Sequence, residues 1–223
     1  MRTAFAAQLA EIEQQLEQTL REVPPALTLI VTADRADGKR VADLLAADAI
    51  RLRKRCRAID ATLMTVAACQ APLASDLRLV LALLELSHHA TLIANQLGLI
   101  GTELQESGPV EDVDVGTGRC LGQMVVLAGT QLEAAVTAFS MRQASAAAQI
   151  DMLDSSLDRL NRELFACARD LDGSPARRTV AMRHVLIARS LERIGDNTLE
   201  IARQTAFVIG GAGAVAMPAG AHL

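Results

Sequence analysis

The sequence predicts an all-α protein, a tandem duplication of a three-helix bundle with six long antiparallel helices. Three observations carry that expectation. Hydrophobic residues make up 51% of the 223-residue chain, yet aromatics only 2%, with no Trp and no Tyr. The apolar content rests on Ala and Leu, which favour helix, whereas strands draw on aromatic and β-branched residues. Loop-forming residues divide the chain into six stretches, and in the fifth and sixth the apolar residues recur at alternating spacings of 3 and 4, as one face of a helix requires. Finally, Thr91-Leu-Ile-Ala-Asn95 and Glu192-Arg-Ile-Gly-Asp196 lie late in the third and sixth stretches. With Leu86/Ile187 and Ile100/Ile201 they share an offset of 101 residues (86 to 187, 100 to 201), the mark of an internal duplication.

The first stretch runs from about Thr3 to Thr32. It is expected to bend at Pro24-Pro25, because proline removes a backbone donor and clashes with the preceding turn. Asp34–Gly38 forms a loop, a second helix reaches about Ala68, and Gln70-Ala71-Pro72 ends it. The third helix spans about Ser75 to Glu103, and Glu106-Ser107-Gly108-Pro109 is the expected domain boundary. The fourth covers about Gly116 to Met141 and the fifth about Ser145 to Asp170. In the turn Asp172-Gly173-Ser174-Pro175, Ser174 is placed to cap the sixth helix and Pro175 to begin it; that helix reaches about Ile209. On this reading residues 1–107 form the first bundle, 110–209 the second, and 210–223 a disordered tail.

Against 26 acidic residues stand 22 Lys and Arg, a formal net charge of −4, which gives no footprint for general nucleic-acid binding. Cys56, Cys69, Cys120 and Cys167 are scattered, with no CxxC and no Cys/His cluster. They read as buried free thiols in a reducing compartment. Glu11 and Glu13 interrupt the N-terminus before an apolar run develops, and Gly210, Gly211, Gly213, Pro218 and Gly220 break the uncharged tail. Neither end reads as a secretory signal or a membrane helix, so a soluble, cytoplasmic protein is expected.

The most informative segment is Leu191-Glu192-Arg193-Ile194-Gly195-Asp196. Glu192, Asp196 and Glu200 recur every fourth residue and line one helix face, where like charges repel. The fifth helix carries Asp151, Asp154 and Asp158. If residues equidistant from the turn at 173–174 lie level, Asp154 faces Glu192 and Asp151 faces Asp196. Carboxylates from two helices then meet at one height, an oxygen-rich set suited to Fe, Mn, Mg or Ca. A solvated acidic face paired with Arg193, Arg159 and Arg162 is the plainer alternative, and no His lies among the acids to suggest a Glu-x-x-His di-iron site. The second helix has the opposite character: Arg51-Leu-Arg53-Lys54-Arg55-Cys-Arg57 is a basic run. It reads as a solvated face paired with Asp48 and Asp60, or as a docking patch for an acidic partner or phosphate groups. His88 and His89 are adjacent and diverge on a helix, and Gly195 is expected to let a neighbouring helix approach. No phosphate loop, HExxH, GxSxG or nucleophile pair is present, so catalysis finds no support.

Three segments resemble the PhoU family, the regulators of phosphate uptake. Gln70-Ala-Pro72-Leu-Ala74-Ser-Asp76-Leu77-Arg78 is similar to the family's Q-x-P-V-A-x-D-L-R approach to the third helix. Leu191 to Asp196 resembles its L-E-R-I-G-D signature, and Met1-Arg2-Thr3-Ala4-Phe5 with Leu9 resembles its usual start. The resemblance covers about residues 1–210. It implies paired three-helix bundles in a non-enzymatic cytoplasmic regulator. Such a regulator couples a phosphate ABC transporter to a sensor histidine kinase, reaching the membrane only through those partners, and a homodimer is compatible with it. It also implies metal binding through acidic E-x-x-x-D motifs, with Fe, Mn, Mg or Zn at Glu192, Asp196, Asp154 and Asp158, and Asp151 and Glu200 as weaker ligands. Thr91 and Asn95 replace the first repeat's acids, and Glu200 and Arg203 stand where the family usually has Asn and Glu, so at most one metal site is expected, in the second repeat. The alternatives are a carboxylate-bridged metal store and a divergent helical scaffold. Arg51, Arg53, Lys54, Arg55 and Arg57 are the candidate partner-binding residues.

Overall fold

The computed structural model describes residues 2–32, 38–70, 75–105, 115–171 and 174–210. These residues form α1 (Arg2–Arg21), α2 (Val23–Thr32), α3 (Gly38–Gln70), α4 (Ser75–Gln105), α5 (Val115–Ser140), α6 (Ala147–Arg169) and α7 (Pro175–Gly210), with a short 3-10 turn at Ala144–Ala146 and no strand among them. The expected loops at 33–37 and 106–114, part of the 172–175 turn and the tail from 211 lie outside the described residues.

Each helix follows from its apolar stripe. In α1, Phe5, Leu9, Ile12, Leu16 and Leu20 are all buried. The first stretch differs from the bent rod expected: it is two helices, broken at Glu22. Pro24 and Pro25 offer no N–H to the carbonyls of Leu20 and Arg21, so the ladder stops there and restarts with both prolines in the first turn of α2, where a missing donor costs little. At the other hairpin, Arg142 turns the chain with φ 57 and its guanidinium bonds Glu13 of α1 at 2.8 Å. As expected, Ser174 Oγ accepts the backbone N–H of Arg177 (3.4 Å) and Pro175 opens α7.

α4 and α7 form the centre. By length and composition α4 is apolar enough to cross a membrane; 44% of that apolar window is buried inside the protein, where the helix packs between α3 and α7. α3 packs along α4, α6 along α7, and α4 against α7, while α5 packs against α6, α7 and α2. One apolar core runs through every helix. The duplication is visible in burial: an offset of 101 carries Ala49 to Ile150, Cys56 to Leu157, Ile59 to Leu160 and Leu63 to Leu164 (49 to 150, 63 to 164), and all eight are buried. His89 of α4 and Asn197 of α7 join the halves through Nδ1 and Oδ1 at 2.9 Å. Their counterparts by the same offset, Ser190 and Gln96, are both buried.

Candidate functional site

The second repeat places its acids where α5, α6 and α7 come closest. Gly195 permits that approach: a Cβ there would lie 2.6 Å from Leu157 Cδ2, 3.0 Å from Gln131 Oε1 and 3.2 Å from Asp154 Oδ1. Gln131, fully buried on α5, donates from Nε2 to Asp154 Oδ1 at 3.0 Å. Its Oε1 is buried and has no hydrogen-bond partner among the described residues. Sequence reasoning missed Gln131. Its one signal is a polar residue amid the apolar face Ala128, Leu132 and Ala135.

The rungs differ by one helical turn from the equidistance expectation. Asp154 faces Asp196, not Glu192, and Asp158 faces Glu192. The first repeat pairs at the matching positions: Arg53 meets Asn95 (Nη1 to Oδ1, 3.3 Å), each 101 residues before Asp154 and Asp196 (53 to 154, 95 to 196). The two helices of each hairpin are thus staggered by about a turn, a quantity that counting residues from the loop does not contain.

Burial raises the pKa of Asp196 to about 6, reinforced by Asp154, Glu192 and Asp158 and opposed by Arg193. Asp154 is raised by burial and by Asp158 and Asp151, against the bond from Gln131. Asp158 is raised by burial and by Glu192, against Arg162. No salt bridge neutralises Asp154, Asp158 or Asp196 among the described residues. Glu192 has a 3.8 Å contact with Arg189, and Glu200 is held by Arg203. Of the cations expected to pair this face, Arg159 instead holds Glu163. Asp151 is exposed on the turn before Asp154. The fit to a metal is partial. The donors are oxygen-rich and only partly offset by Arg162, Arg193 and Arg203, yet among the described residues no three His, Cys, Asp or Glu side chains are gathered so that they could hold one ion. A metal would require the rungs to close.

The first repeat places Arg53, Arg57, Thr91 and Asn95 where the second has Asp154, Asp158, Glu192 and Asp196, each 101 residues on (53 to 154, 95 to 196). One polar groove, present twice, thus carries opposite charge in the two halves. The basic run divides in two. Arg51 and Arg55 both hold Glu22 at the α1–α2 break, and Arg51 also holds Asp48 at 2.7 Å. Burial opposes ionisation of Glu22, but the bonds from Arg55 and Arg51 outweigh it and lower its pKa. Arg53, Lys54 and Arg57 make no ion pair among the described residues. The cysteines are less dispersed than their spacing suggests, since the pKa of the buried Cys120 thiol of α5, raised most by burial, is raised also by the nearby Cys167 of α6.

The fold and its paired grooves define a class: duplicated helical bundles with one polar groove in each half. Within that class the profile of the PhoU domain matches residues 121–205, which span Gln131, both acidic helices and the Leu191–Asp196 segment. Across nearly its whole length the chain is similar to the phosphate-specific transport system accessory protein PhoU homolog 1 of Mycobacterium leprae, with 24% identity over 93% of each chain. It is similar also to PhoU homolog 2 of Mycobacterium tuberculosis, with 23% identity over 95% of this chain and 99% of that one. Among solved structures, the phosphate transport system regulatory protein PhoU of Streptococcus pneumoniae shares the fold with a TM-score of 0.78, at 22% identity over 93% of this chain and 97% of that one. PhoU of Pseudomonas aeruginosa shares it with a TM-score of 0.70, at 20% identity over 93% and 96%. Residues 121–205 thus match the PhoU domain, and nearly the whole chain is similar to PhoU proteins at 20–24% identity.

Proposed function

We propose that this protein is a cytoplasmic, non-enzymatic regulator of phosphate uptake. It links a phosphate ABC transporter to a sensor histidine kinase and restrains phosphate-starvation genes when phosphate is plentiful. The observation that carries this reading is the joint coverage of chain and relatives: similarity spans 93% of both this chain and the mycobacterial accessory protein, so both halves are retained. A molecule made of helix faces, with an acidic groove and a basic one, works by touching other proteins. Affinity capture from cells grown in ample phosphate, with the full chain as bait, is expected to recover the transporter's cytoplasmic subunits and the kinase. Recovery of neither overturns the reading.

We further propose that Glu192, Asp196, Asp154 and Asp158 take one divalent or trivalent cation that tunes the second bundle. Gln131 Oε1, without a partner among the described residues, and the half-buried cluster of acids support it. The ion would relieve the repulsion between the rungs and supply no chemistry beyond that. Elemental analysis of tag-free protein is expected to give at most one equivalent of metal, lost in Asp196→Asn; retention by that variant sinks the site.

A further inference from the structure

We propose that Cys120 and Cys167 form a modification site, a thiol pair that peroxide oxidises to a disulfide fastening α5 to α6 at one end of the second bundle. The inference is independent of the phosphate reading. Cys56 and Cys120 are buried, Cys69 is exposed and Cys167 is half-buried. Contacts away from the two sulfurs bring them to one level. Gln131 of α5 bonds Asp154 of α6, and a Cβ on Gly195 would meet Gln131, Asp154 and Leu157 together, so Gln131 lies level with 154–157. Cys120 is eleven residues back along α5, three turns away on the face that holds Gln131. The same distance onward along α6 reaches 165–168 (154 to 165, 157 to 168), and Cys167 follows Leu153 and the buried Leu160 at intervals of seven. α7 gives the same answer. Asp158 faces Glu192, and nine residues from each, in opposite directions, stand Cys167 and Arg183, the neighbour of His184 (158 to 167, 192 to 183). His184 Nδ1 in turn pairs with Thr117 Oγ1 at 3.1 Å, and Thr117 is buried on α5 one turn before Cys120. In keeping with that placement, the Cys120 pKa is raised most by burial and then by Cys167 and Glu163, one turn apart on α6, against Arg119.

The two sulfurs suit different steps. Cys167 still meets solvent, whereas Cys120 is 1% exposed and its burial disfavours the thiolate, so peroxide reacts first at Cys167. The Cys167 sulfur takes one peroxide oxygen and the O–O bond breaks. The other oxygen leaves as water with the proton of the thiol, and Cys167 becomes a sulfenic acid. The Cys120 sulfur then attacks the Cys167 sulfur. An S–S bond forms, the S–O bond breaks, and the hydroxide leaves with the Cys120 proton as a second water. Two thiols have given up two electrons, and peroxide has taken them to become two waters. A dithiol reductant restores both thiols by exchange. Cys56 and Cys69 offer no such pair, because thirteen residues on one helix hold them about 20 Å apart. The bond closes the α5–α6 hairpin at the end opposite its Arg142 turn. It thereby holds α5, and with it Gln131, against the helix that carries Asp154.

Peptide mass spectrometry on tag-free full-length protein tests the site. Reduced, folded protein is treated with hydrogen peroxide, capped with N-ethylmaleimide in urea and digested with trypsin without reductant. The expected product is the segment 120–142 joined to the segment 163–169, more abundant than every link through the exposed Cys69 and separated by dithiothreitol. The oxidised chain should melt about 4 °C or more above the reduced one, as a bond that fits the fold requires. Three results overturn the proposal: Cys167 carried on to sulfinic acid while Cys120 is still capped by maleimide, links through Cys69 in the majority, or a lower Tm after oxidation. Two variants test the order of the steps. In Cys120→Ser the sulfenic acid on Cys167 should persist and be trapped by dimedone. In Cys167→Ser the Cys120 thiol should resist peroxide, and its oxidation there at the wild-type rate refutes the order. Should either variant fail to fold, as seen by circular dichroism, the wild-type peptides and Tm decide the proposal by themselves.

Discussion

Replacing Gly195 with Ala adds one methyl group at the closest approach of three helices. That methyl would sit 2.6 Å from Leu157 Cδ2 and 3.0 Å from Gln131 Oε1, and both side chains are buried with little room to retreat. Overpacking of this kind costs about 1–3 kcal/mol. Pushing Gln131 away also weakens its bond to Asp154, a hydrogen bond to a carboxylate worth about 1.5–3 kcal/mol when fully lost. Against this, alanine in a helix interior is better than glycine by about 1 kcal/mol. The net expectation is a loss of about 1–3 kcal/mol, a fall in Tm of about 2–10 °C for a chain of this size. Gly122→Ala is the control. It too lies inside a helix, but its Cβ would meet only Val31 Cγ1 at 3.8 Å, so the propensity gain stands alone and stability should rise by up to about 1 kcal/mol. Urea unfolding followed by circular dichroism reads both. Equal shifts of the same sign in the two variants would refute the packing argument.

Asp196→Asn should stabilise the protein near pH 7.5. The folded pKa of Asp196, about 6, lies above the ordinary 3.8, so its ionisation opposes folding progressively as pH rises through about 6. Because the residue still meets solvent, the gain is about 1 kcal/mol after screening, and it should vanish below about pH 4. An advantage that persists in acid contradicts this sign. Glu22→Gln acts oppositely: its lowered pKa stabilises the fold above the ordinary 4.5 and loses that effect as pH falls. The variant should cost about 0.5 kcal/mol at pH 7 and nothing in strong acid, read by urea midpoints across pH. Gly101→Ala should destabilise by about 1 kcal/mol or more, since its Cβ would meet the Ala42 carbonyl oxygen at 3.0 Å and backbone cannot rotate aside as a side chain can.

The helices were legible because their signal is local. Seams such as Ile187, Leu191, Ile194, Thr198 and Ile201 are buried as their spacing requires, and the duplication reads directly from the offset of 101. The acidic residues of the site were legible for the same reason, since a stripe of like charges is a pattern within one helix. What stayed hidden depends on pairs of helices. Gln131 looks like a stray polar residue until α5 packs against Asp154. The one-turn stagger of the rungs depends on how the two helices of each hairpin pack side by side. The division of the basic run, with Arg51 and Arg55 held and Arg53, Lys54 and Arg57 left over, depends on the α1–α2 break setting a half-buried Glu22 beside α3.

Deleting the gene and following phosphate-starvation transcription in phosphate-rich medium tests the regulatory role most directly. Transcription should rise in the deletion and return to its repressed level when the intact chain is restored. Unchanged transcription in the deletion strain would contradict a place for this protein in phosphate control.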